Sequence, residues 1–555
     1  MQMTGAKIIV ETLIEQGIDT IFGYPGGSVL NIYDELFKAS DRIKHYLTCH
    51  EQGASHAADA YSRVSGKPGV VIATSGPGAT NLVTGIANAY LDSSPIVAIT
   101  GNVAQALIGK DSFQEVDIAG VTMPITKHNY IVKDIGKLAD TIREAISIAT
   151  TGRPGPVLID VPKDIQLAKC DFVPKAAPAP KGPGKVSDEA VEDAIELINN
   201  SKRPFIYAGG GVVISEASKE LLEFAERVDA PIGLSMMGLS AIPASHPRNL
   251  GMTGMHGKFA ASKAMSESDL IIAIGTRFSD RATGSKLEFT KGKRFIHIDI
   301  DPAEIGKNIP AYVSVIGNVK DVLTRLNTLL PSFERPEWHR EVAEIKESPE
   351  NNGDVPSDHL TPRALIKEVR KHMPEDGVVA TDVGQHQMWV SLYYSFTAPR
   401  TFITSGGLGT MGFGMGAAIG SCIGRGRKKT VLFTGDGSFH MNLNELATAV
   451  TNNLPLVIVV MNNGVLGMVR QWQTLFFDKR YSNTTLNRKT DFVKLAEAFG
   501  ATGYRISCAD DLSSVMKKAF ETEGPVLVDA VIGCDEKVLP MIPPGGTIND
   551  IILEG

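Results

Sequence analysis

Asp436 sits in the break Gly435-Asp436-Gly437-Ser438, and Asn463 follows it by 27 residues at the end of an apolar run, Leu456 to Met461. A carboxylate and an amide oxygen are hard donors. Beside a helix N-terminus they suit a small divalent cation that also holds a diphosphate. Read alone, Gly-Asp-Gly is a turn and Asn462-Asn463 a strand end; as a pair across one unit they make a site. Glu51 is a second candidate. It follows the apolar segment Ile43 to Thr48 and opens a helix rich in alanine (Ala54, Ala57, Ala58, Ala60). An acid there is explained by the helix dipole alone. Among small apolar neighbours it can also exchange a proton with a ring nitrogen. Gly407, Gly409 and Gly412 satisfy GxGxxG. The preceding strand, Thr401 to Thr404, is short, and no acid ends a following strand at the usual distance except Asp436. A dinucleotide fingerprint is therefore rejected as weak, and a nicotinamide dehydrogenase built on these glycines stays as the competing reading that NAD binding in a titration would favour.

These groups need parallel sheets to position them. Val431-Leu432-Phe433, a helix with Leu443, Leu446, Ala447 and Val450 on one face, and Leu456 to Met461 form a strand–helix–strand unit. In a parallel sheet both strand ends point the same way, so Asp436 and Asn463 share one edge. The segment Val71 to Asn102 repeats that grammar at an offset of 360 residues, with Pro95 matching Pro455 and Asn102 matching Asn462. The chain is thus read as α/β, with similar domains at its two ends. The first covers 1–173. Residues 174–185 (PKAAPAPKGPGK) form a linker. A middle domain, 186–335, has strands Pro204 to Ala208 before Gly209-Gly210-Gly211, Leu270 to Ile274 before Gly275, and Phe295 to Asp299. A strand ending in Asp in such a domain is typical of ribose or nucleotide recognition. Arg277 and Arg281, four apart, fit either a ligand or a surface ion-pair cluster. Residues 336–361 are charged and poorly periodic and read as a second linker; 362–534 is the last domain, and 535–555 a proline- and glycine-broken tail.

At 555 residues the chain needs several cores. A net charge of -7 without long basic runs argues against nucleic acid. Five scattered cysteines without a CxxC pair argue against a disulfide framework or a zinc site and suit a reducing, cytoplasmic setting. No apolar run approaches the ~20 residues that span a bilayer.

The motifs resemble a family. Gly435-Asp436-Gly437 with Asn462-Asn463 resembles the signature of thiamine-diphosphate enzymes. YPGG at 24–27, HEQGA at 50–54, TSGPGATN at 74–81, FQE at 113–115, GRPGPVLIDVPKD at 152–164, GMHG at 254–257, RFSDR at 277–281, DVGQHQMW at 382–389, GGLGTMGFG at 406–414 and GMVRQWQ at 467–473 resemble, in order, the acetohydroxyacid synthase (acetolactate synthase) catalytic large subunits. The resemblance covers essentially the whole chain. It implies two thiamine-diphosphate-binding domains flanking a Rossmann-like FAD-binding domain. The implied chemistry is decarboxylation of pyruvate, then addition of the hydroxyethyl carbanion to a second 2-ketoacid, in branched-chain amino-acid biosynthesis. The alternative is a pyruvate oxidase-like or other thiamine-diphosphate decarboxylase.

The resemblance also assigns roles. Asp436, Asn463 and the Val465 carbonyl would bind Mg2+. Gln385, His386, Gly435, Gly437, Ser438 and Gly467 would contact the diphosphate. Met411 would prop the cofactor in its bent form, with Gly409 and Met468 beside it. Glu51, from the other subunit, would meet the aminopyrimidine, with Pro25, Gly26, Gly78 and Asn81 around it. Gly27, Phe113, Gln114 and Lys163 would line the reaction chamber. Arg281 would hold the acceptor carboxylate, and Trp472 would favour 2-ketobutyrate over pyruvate. Arg153, Gly209, Gly210, Gly211, Met255, His256, Gly275, Arg277, Arg281, Asp299, Ile300, Asn318 and Val319 would contact a largely structural FAD. Ser279 and Asn318 stand where the family commonly carries Asp. RFSDR and Trp472 separate the chain from the FAD-free catabolic enzymes. A homodimer or homotetramer with the site at the subunit interface, and a small regulatory subunit, complete the implied partners.

Overall fold

Runs of Val, Ile and Leu with no polar alternation predict strands covered on both faces, and the computed structural model places them in three six-stranded sheets whose strand pairs are all parallel. The structure describes residues 1–177, 185–351 and 359–554. Residues 178–184 of the first linker and 352–358 of the second lie outside the described residues.

The first sheet comprises β1 (Thr20–Gly23), β2 (Lys44–Leu47), β3 (Gly69–Ala73), β4 (Ile96–Asn102), β5 (His128–Ile131) and β6 (Val157–Pro162), ordered β2-β1-β3-β4-β6-β5. The middle sheet comprises β7 (Pro204–Ala208), β8 (Ile232–Leu234), β9 (Asn249–Met252), β10 (Leu270–Ile274), β11 (Arg294–Asp299) and β12 (Val313–Ile316), ordered β9-β8-β7-β10-β11-β12. That is the doubly wound order of dinucleotide-binding domains, with its switch point between β7 and β10. The last sheet comprises β13 (Val378–Thr381), β14 (Phe402–Ile403), β15 (Thr430–Gly435), β16 (Leu456–Asn462), β17 (Thr502–Ile506) and β18 (Val526–Val531), ordered β14-β13-β15-β16-β18-β17. The first and last sheets thus share one topology strand for strand.

Differences from the sequence reading are local. The single helix expected before Pro455 is two, Asp436–Asn442 and Glu445–Thr451. Leu443 and Asn444 keep right-handed helical angles, but the hydrogen bonds there shorten to i,i+3 (Leu446 N–H to the Leu443 carbonyl, Ala447 N–H to Asn444). The 336–361 segment read as a linker opens with a helix, Pro336–Glu347. It is anchored by Trp338, 2% exposed, whose indole N–H donates to the Pro204 carbonyl at 3.0 Å. Trp338 is the helix's one buried residue, so the sequence shows no apolar period to read. The tail has one short 3-10 turn, Ile548–Asp550, and Ile542 N–H donates to the Met255 carbonyl at 2.8 Å. It therefore runs across the middle domain.

The end domains meet along helices Glu51–Ser65 and Gly414–Gly424, each following the second-numbered strand of its sheet. Backbone approach is close. A methyl added at Gly416 would lie 2.5 Å from the Gly53 carbonyl oxygen, and one at Gly420 would strike the Ala57 carbonyl. Small residues at four-residue spacing permit this contact.

Candidate active site

At the carboxyl edge of the last sheet, Asp436 directly follows β15 and Asn463 directly follows β16. Asp436 Oδ2 accepts the Gly464 N–H at 3.1 Å, and Asn463 Oδ1 accepts the Val465 N–H at 3.2 Å, so one short loop ties the two side chains together. Asn463 Nδ2 lies 3.4 Å from Gln385 Oε1. Burial, only partly offset by hydrogen bonds from the Gly437 and Gly464 backbone, pushes the Asp436 carboxyl up to about 6. Among the described residues no group of three or more His, Cys, Asp and Glu could hold a metal ion. The strand ends offer instead a carboxylate and an amide oxygen on one short loop, hard oxygen donors of the kind that would fit Mg2+.

His386 opens the helix Gln385–Tyr393, and its Nε2 is buried without a partner. Burial drives its pKa down to about 3, so the ring is neutral at physiological pH. A methyl at Gly435 would lie 3.1 Å from His386 Nδ1, and one at Gly467 would strike the Gln385 amide. Gly435, Gly437, Ser438, Gln385, His386 and Gly467 thus form one cradle with an orphaned nitrogen in it. Glycine here leaves room for an anionic group near backbone and imidazole. The cradle fits a diphosphate.

Three residues that support this edge escaped the sequence reading. Asp382, fully buried and raised by burial to about 6, accepts the Gly412 N–H at 2.8 Å and so fixes the loop below Met411. Gln471 accepts from Gln385 Nε2 (3.0 Å) and from the Val538 N–H (2.8 Å), coupling the cradle to the tail. Ser405 accepts the Thr410 N–H at 2.8 Å. Asp382 lies inside a motif already singled out, and its position directly after the apolar strand Val378–Thr381 was the available signal. Gln471 also lies in such a motif, but its partners Gln385 and Val538 are distant in sequence, as is the Asn88 to which the Ser405 hydroxyl donates.

A cavity of about 1,840 Å³ lies where the three domains meet. It is lined by Arg153, Gly210, Gly211, Met255, His256, Gly275, Arg277, Arg281, Asp299, Ile300, Asn318 and Val319, together with Gly409, Met411, Met468 and Trp472. Gly209 is not on its wall. His256 Nδ1 is buried there without a partner, and burial, with Arg281 nearby, lowers that imidazole to about 4. Asp299 ends β11, where burial raises its carboxyl, and Arg153 pairs with Glu304 at 2.7 Å. Long, mixed apolar and polar walls with an acid at a strand end fit a flavin dinucleotide. At one end of the cavity the Arg281 guanidinium lies 5.6 Å from the centroid of the Trp472 ring, and it reaches Met255 Sδ at 3.5 Å.

The Glu51 group assembles elsewhere. Pro25, Gly26 and Gly27 follow β1, Glu51 follows β2, Gly78 and Asn81 follow β3, and Lys163 follows β6, all at the carboxyl edge of the first sheet. Asn81 Nδ2 donates to Glu51 Oε2 at 3.0 Å, and a methyl at Gly78 would lie 3.1 Å from Glu51 Oε1. Gln114 is held at φ 59°, against Gly76. Such left-handed backbone at a non-glycine residue is a mark of a functional loop. Phe113 is 88% exposed. None of these residues lines the large cavity.

Comparison with known proteins follows the same partition. Residues 3–121 match the family described as thiamine pyrophosphate enzyme, N-terminal TPP binding domain; 191–326 match the central domain and 382–530 the C-terminal TPP binding domain. The chain is 45% identical to a probable acetolactate synthase large subunit of Methanocaldococcus jannaschii, over 99% of this chain and 95% of that protein. It is 45% identical to the acetolactate synthase large subunit of Corynebacterium glutamicum (99% and 90%) and 44% identical to the acetolactate synthase isozyme 2 large subunit of Escherichia coli (99% and 99%).

Proposed function

The chain belongs to the acetolactate synthase large subunits of the thiamine pyrophosphate enzymes, and from that premise we propose that it decarboxylates pyruvate and joins the two-carbon unit to a second 2-ketoacid. The products are 2-acetolactate from pyruvate and 2-aceto-2-hydroxybutyrate from 2-ketobutyrate. Thiamine diphosphate, when bound, supplies the electron sink for decarboxylation. Asp436, Asn463 and the Val465 carbonyl would hold Mg2+, and the neutral His386 would donate its ring N–H to the diphosphate. Glu51 holds and moves a proton at the aminopyrimidine. Arg281 binds the acceptor carboxylate, and Trp472 presents an apolar face to the extra methyl of 2-ketobutyrate while excluding water. Gly27, Phe113, Gln114 and Lys163 border the reacting carbons. The cavity where the three domains meet would hold FAD, mainly against the middle domain.

The observation that carries the substrate assignment is the meeting of Arg281 and Trp472, from two domains, at 5.6 Å beside Met468 on the cavity wall. The Glu51 group lines none of that cavity within one chain. This supports a homodimer or homotetramer in which each site is completed by Glu51 of the partner subunit. The exposure of Phe113 fits that assembly. The large-subunit names of the relatives support a small regulatory partner. No helix of the described residues is long and apolar enough to cross a membrane, which accords with a cytoplasmic enzyme. The test is a competition assay with pyruvate and 2-ketobutyrate, omitting thiamine diphosphate, Mg2+ and FAD in turn. Acetohydroxyacid products that need the first two cofactors are expected, with 2-aceto-2-hydroxybutyrate dominant at equal acceptor concentration. Oxygen uptake with acetyl phosphate as product would overturn the proposal.

A further inference from the structure

Two buried carboxylates, Glu445 away from the cavity and Asp92 on its wall, grip the loops that carry this machinery. Glu445, at the start of helix Glu445–Thr451, is fully buried. Its Oε1 accepts the backbone N–H groups of Cys49 (3.2 Å) and His50 (3.0 Å), and its Oε2 accepts the Thr448 hydroxyl at 2.7 Å. Gly53 leaves the space for this approach, since a methyl there would strike the Glu445 carboxylate. Asp92 ends helix Val83–Asp92. Its Oδ2 accepts the Gly406 N–H at 3.1 Å and its Oδ1 the Gly407 N–H at 2.7 Å, while Arg63 pairs with it at 3.0 Å. Asn88, one turn earlier, accepts from the hydroxyls of Ser405 (2.5 Å) and Thr410 (3.1 Å).

The two grips are twins. Each acid lies on the second helix after the third strand of its sheet, β3 or β15. Each receives two consecutive amides from the turn after the second strand of the other sheet, β2 or β14. One turn leads directly into Glu51; the other carries Gly409 and Met411. Charged acceptors on backbone N–H groups are among the stronger hydrogen bonds, and at helix Glu51–Ser65 the acceptor also complements the positive end of the dipole.

We propose that Glu445 and Asp92 are a reciprocal pair of positioning residues: Glu445 sets the reach of Glu51, and Asp92 sets the Gly406 to Met411 loop that supports the cofactor. The inference rests on the roles assigned above to Glu51 and Met411. It predicts a double dissociation, which a general loss of packing would not produce.

The full-length variants Glu445→Ala, Glu445→Gln and Asp92→Asn are compared with wild type. In cofactor-free protein, hydrogen–deuterium exchange should rise about ten-fold at Cys49 and His50 in Glu445→Ala and stay unchanged at Gly406 and Gly407, the size expected for losing an acceptor at a helix N-terminus. Asp92→Asn should do the reverse. In the loaded enzyme, Glu445→Ala should slow exchange of the thiazolium C2 proton about ten-fold and leave the thiamine diphosphate Kd within about two-fold. Asp92→Asn should raise that Kd about ten-fold and leave C2 exchange at saturation unchanged. Glu445→Gln keeps the shape and one acceptor oxygen, so it should fall between wild type and Glu445→Ala. Equal shifts in both readouts for any variant, or none in either, would overturn the inference. Glu51→Gln is the control. Wild-type C2 exchange in that variant removes the role of Glu51 itself. Slow exchange there beside wild-type exchange in Glu445→Ala removes only the positioning role.

Discussion

At an offset of 360 residues, Gly76 of the first domain stands where Asp436 stands in the last, and Val103 stands where Asn463 stands. The surrounding architecture is held in common. Both sheets have one strand order, and in both the helix after the third strand is broken in two, at 77–81 and 83–92 and at 436–442 and 445–451. Even the polar pair closing the central strands persists: Asn102 donates to Asp160 at 2.5 Å and Asn462 to Asp529 at 2.9 Å. The difference is in the loops. The last domain keeps the oxygen donors and a glycine turn after β14; the first keeps no metal donor at these positions and carries Glu51 after β2. On the proposed roles, chemistry is divided between two copies of one scaffold, because side chains at strand ends can change without disturbing the buried sheet.

The division can be tested by converting one copy toward the other. Asp436→Gly gives the last domain the residue of the first. Turnover is expected to fall by roughly 10³-fold or more, with Mg2+ and thiamine diphosphate binding lost together. Retained Mg2+ affinity in an equilibrium titration would break the comparison. Glu51→Gln disables the other half. Turnover should drop by about 10² to 10⁴-fold, the range of a lost acid–base group, while Mg2+ still binds. Wild-type turnover would refute the assigned role. The two variants mixed in one preparation sharpen the point. If each site is built from two chains, hetero-dimers contain one intact site, and activity should recover to a sizeable fraction of wild type. No recovery after subunit exchange would argue for sites built within single chains.

Much of this scaffold was legible in the residues. Pro204–Ala208 and Leu270–Ile274 appear in the structure with the bounds that their apolar runs suggest, because strands buried on both faces write continuous hydrophobic segments. The placement of Asp436 and Asn463 at strand ends was legible for the same reason: each comes within three residues of the end of such a run. What stayed hidden is non-local. Glu445 acts on Cys49 and His50 across 395 residues or more, and Asp92 on Gly406 across 314. No periodicity or spacing encodes a contact of that kind. Pro336–Glu347 was hidden differently, since one buried tryptophan is enough to dock a helix yet too little to make a period. The Arg281–Trp472 contact was half legible, as two motifs without a sign that they meet.

Trp472 belongs to the last domain alone, and its effect should be one of selection rather than rate. Trp472→Leu removes the flat face opposite Arg281 and Phe476 (ring centroids at 5.4 Å). The ratio of 2-aceto-2-hydroxybutyrate to 2-acetolactate at equal acceptor concentrations should fall by about 10 to 100-fold, the discrimination that one methyl contact can supply. Pyruvate-only turnover should change far less. An unchanged product ratio would remove the specificity role.

The smallest expected effect separates the twin aspartates. Asp529 has a guanidinium partner, Arg505 at 2.9 Å, whereas Asp160 has the hydroxyl of Thr100 (2.7 Å) and the amide of Asn102. Burial, only partly offset by those hydrogen bonds, pushes the Asp160 carboxyl up to about 6 from its ordinary 3.8. A carboxyl with a raised folded pKa takes up a proton on folding. Its contribution to stability is therefore fully present below pH 3.8 and is lost as pH rises through about 6. At a shift of about two units the loss is at most ~3 kcal/mol. Asp160→Asn cannot ionise, so its apparent Tm relative to wild type should climb between about pH 4 and about pH 6.5 and then level off. Asp529→Asn strips Arg505 of a partner and should lower Tm at pH 7.5. Parallel Tm–pH curves for wild type and Asp160→Asn would show that the first copy solved its buried charge in the same way as the last, by pairing it rather than by holding its proton.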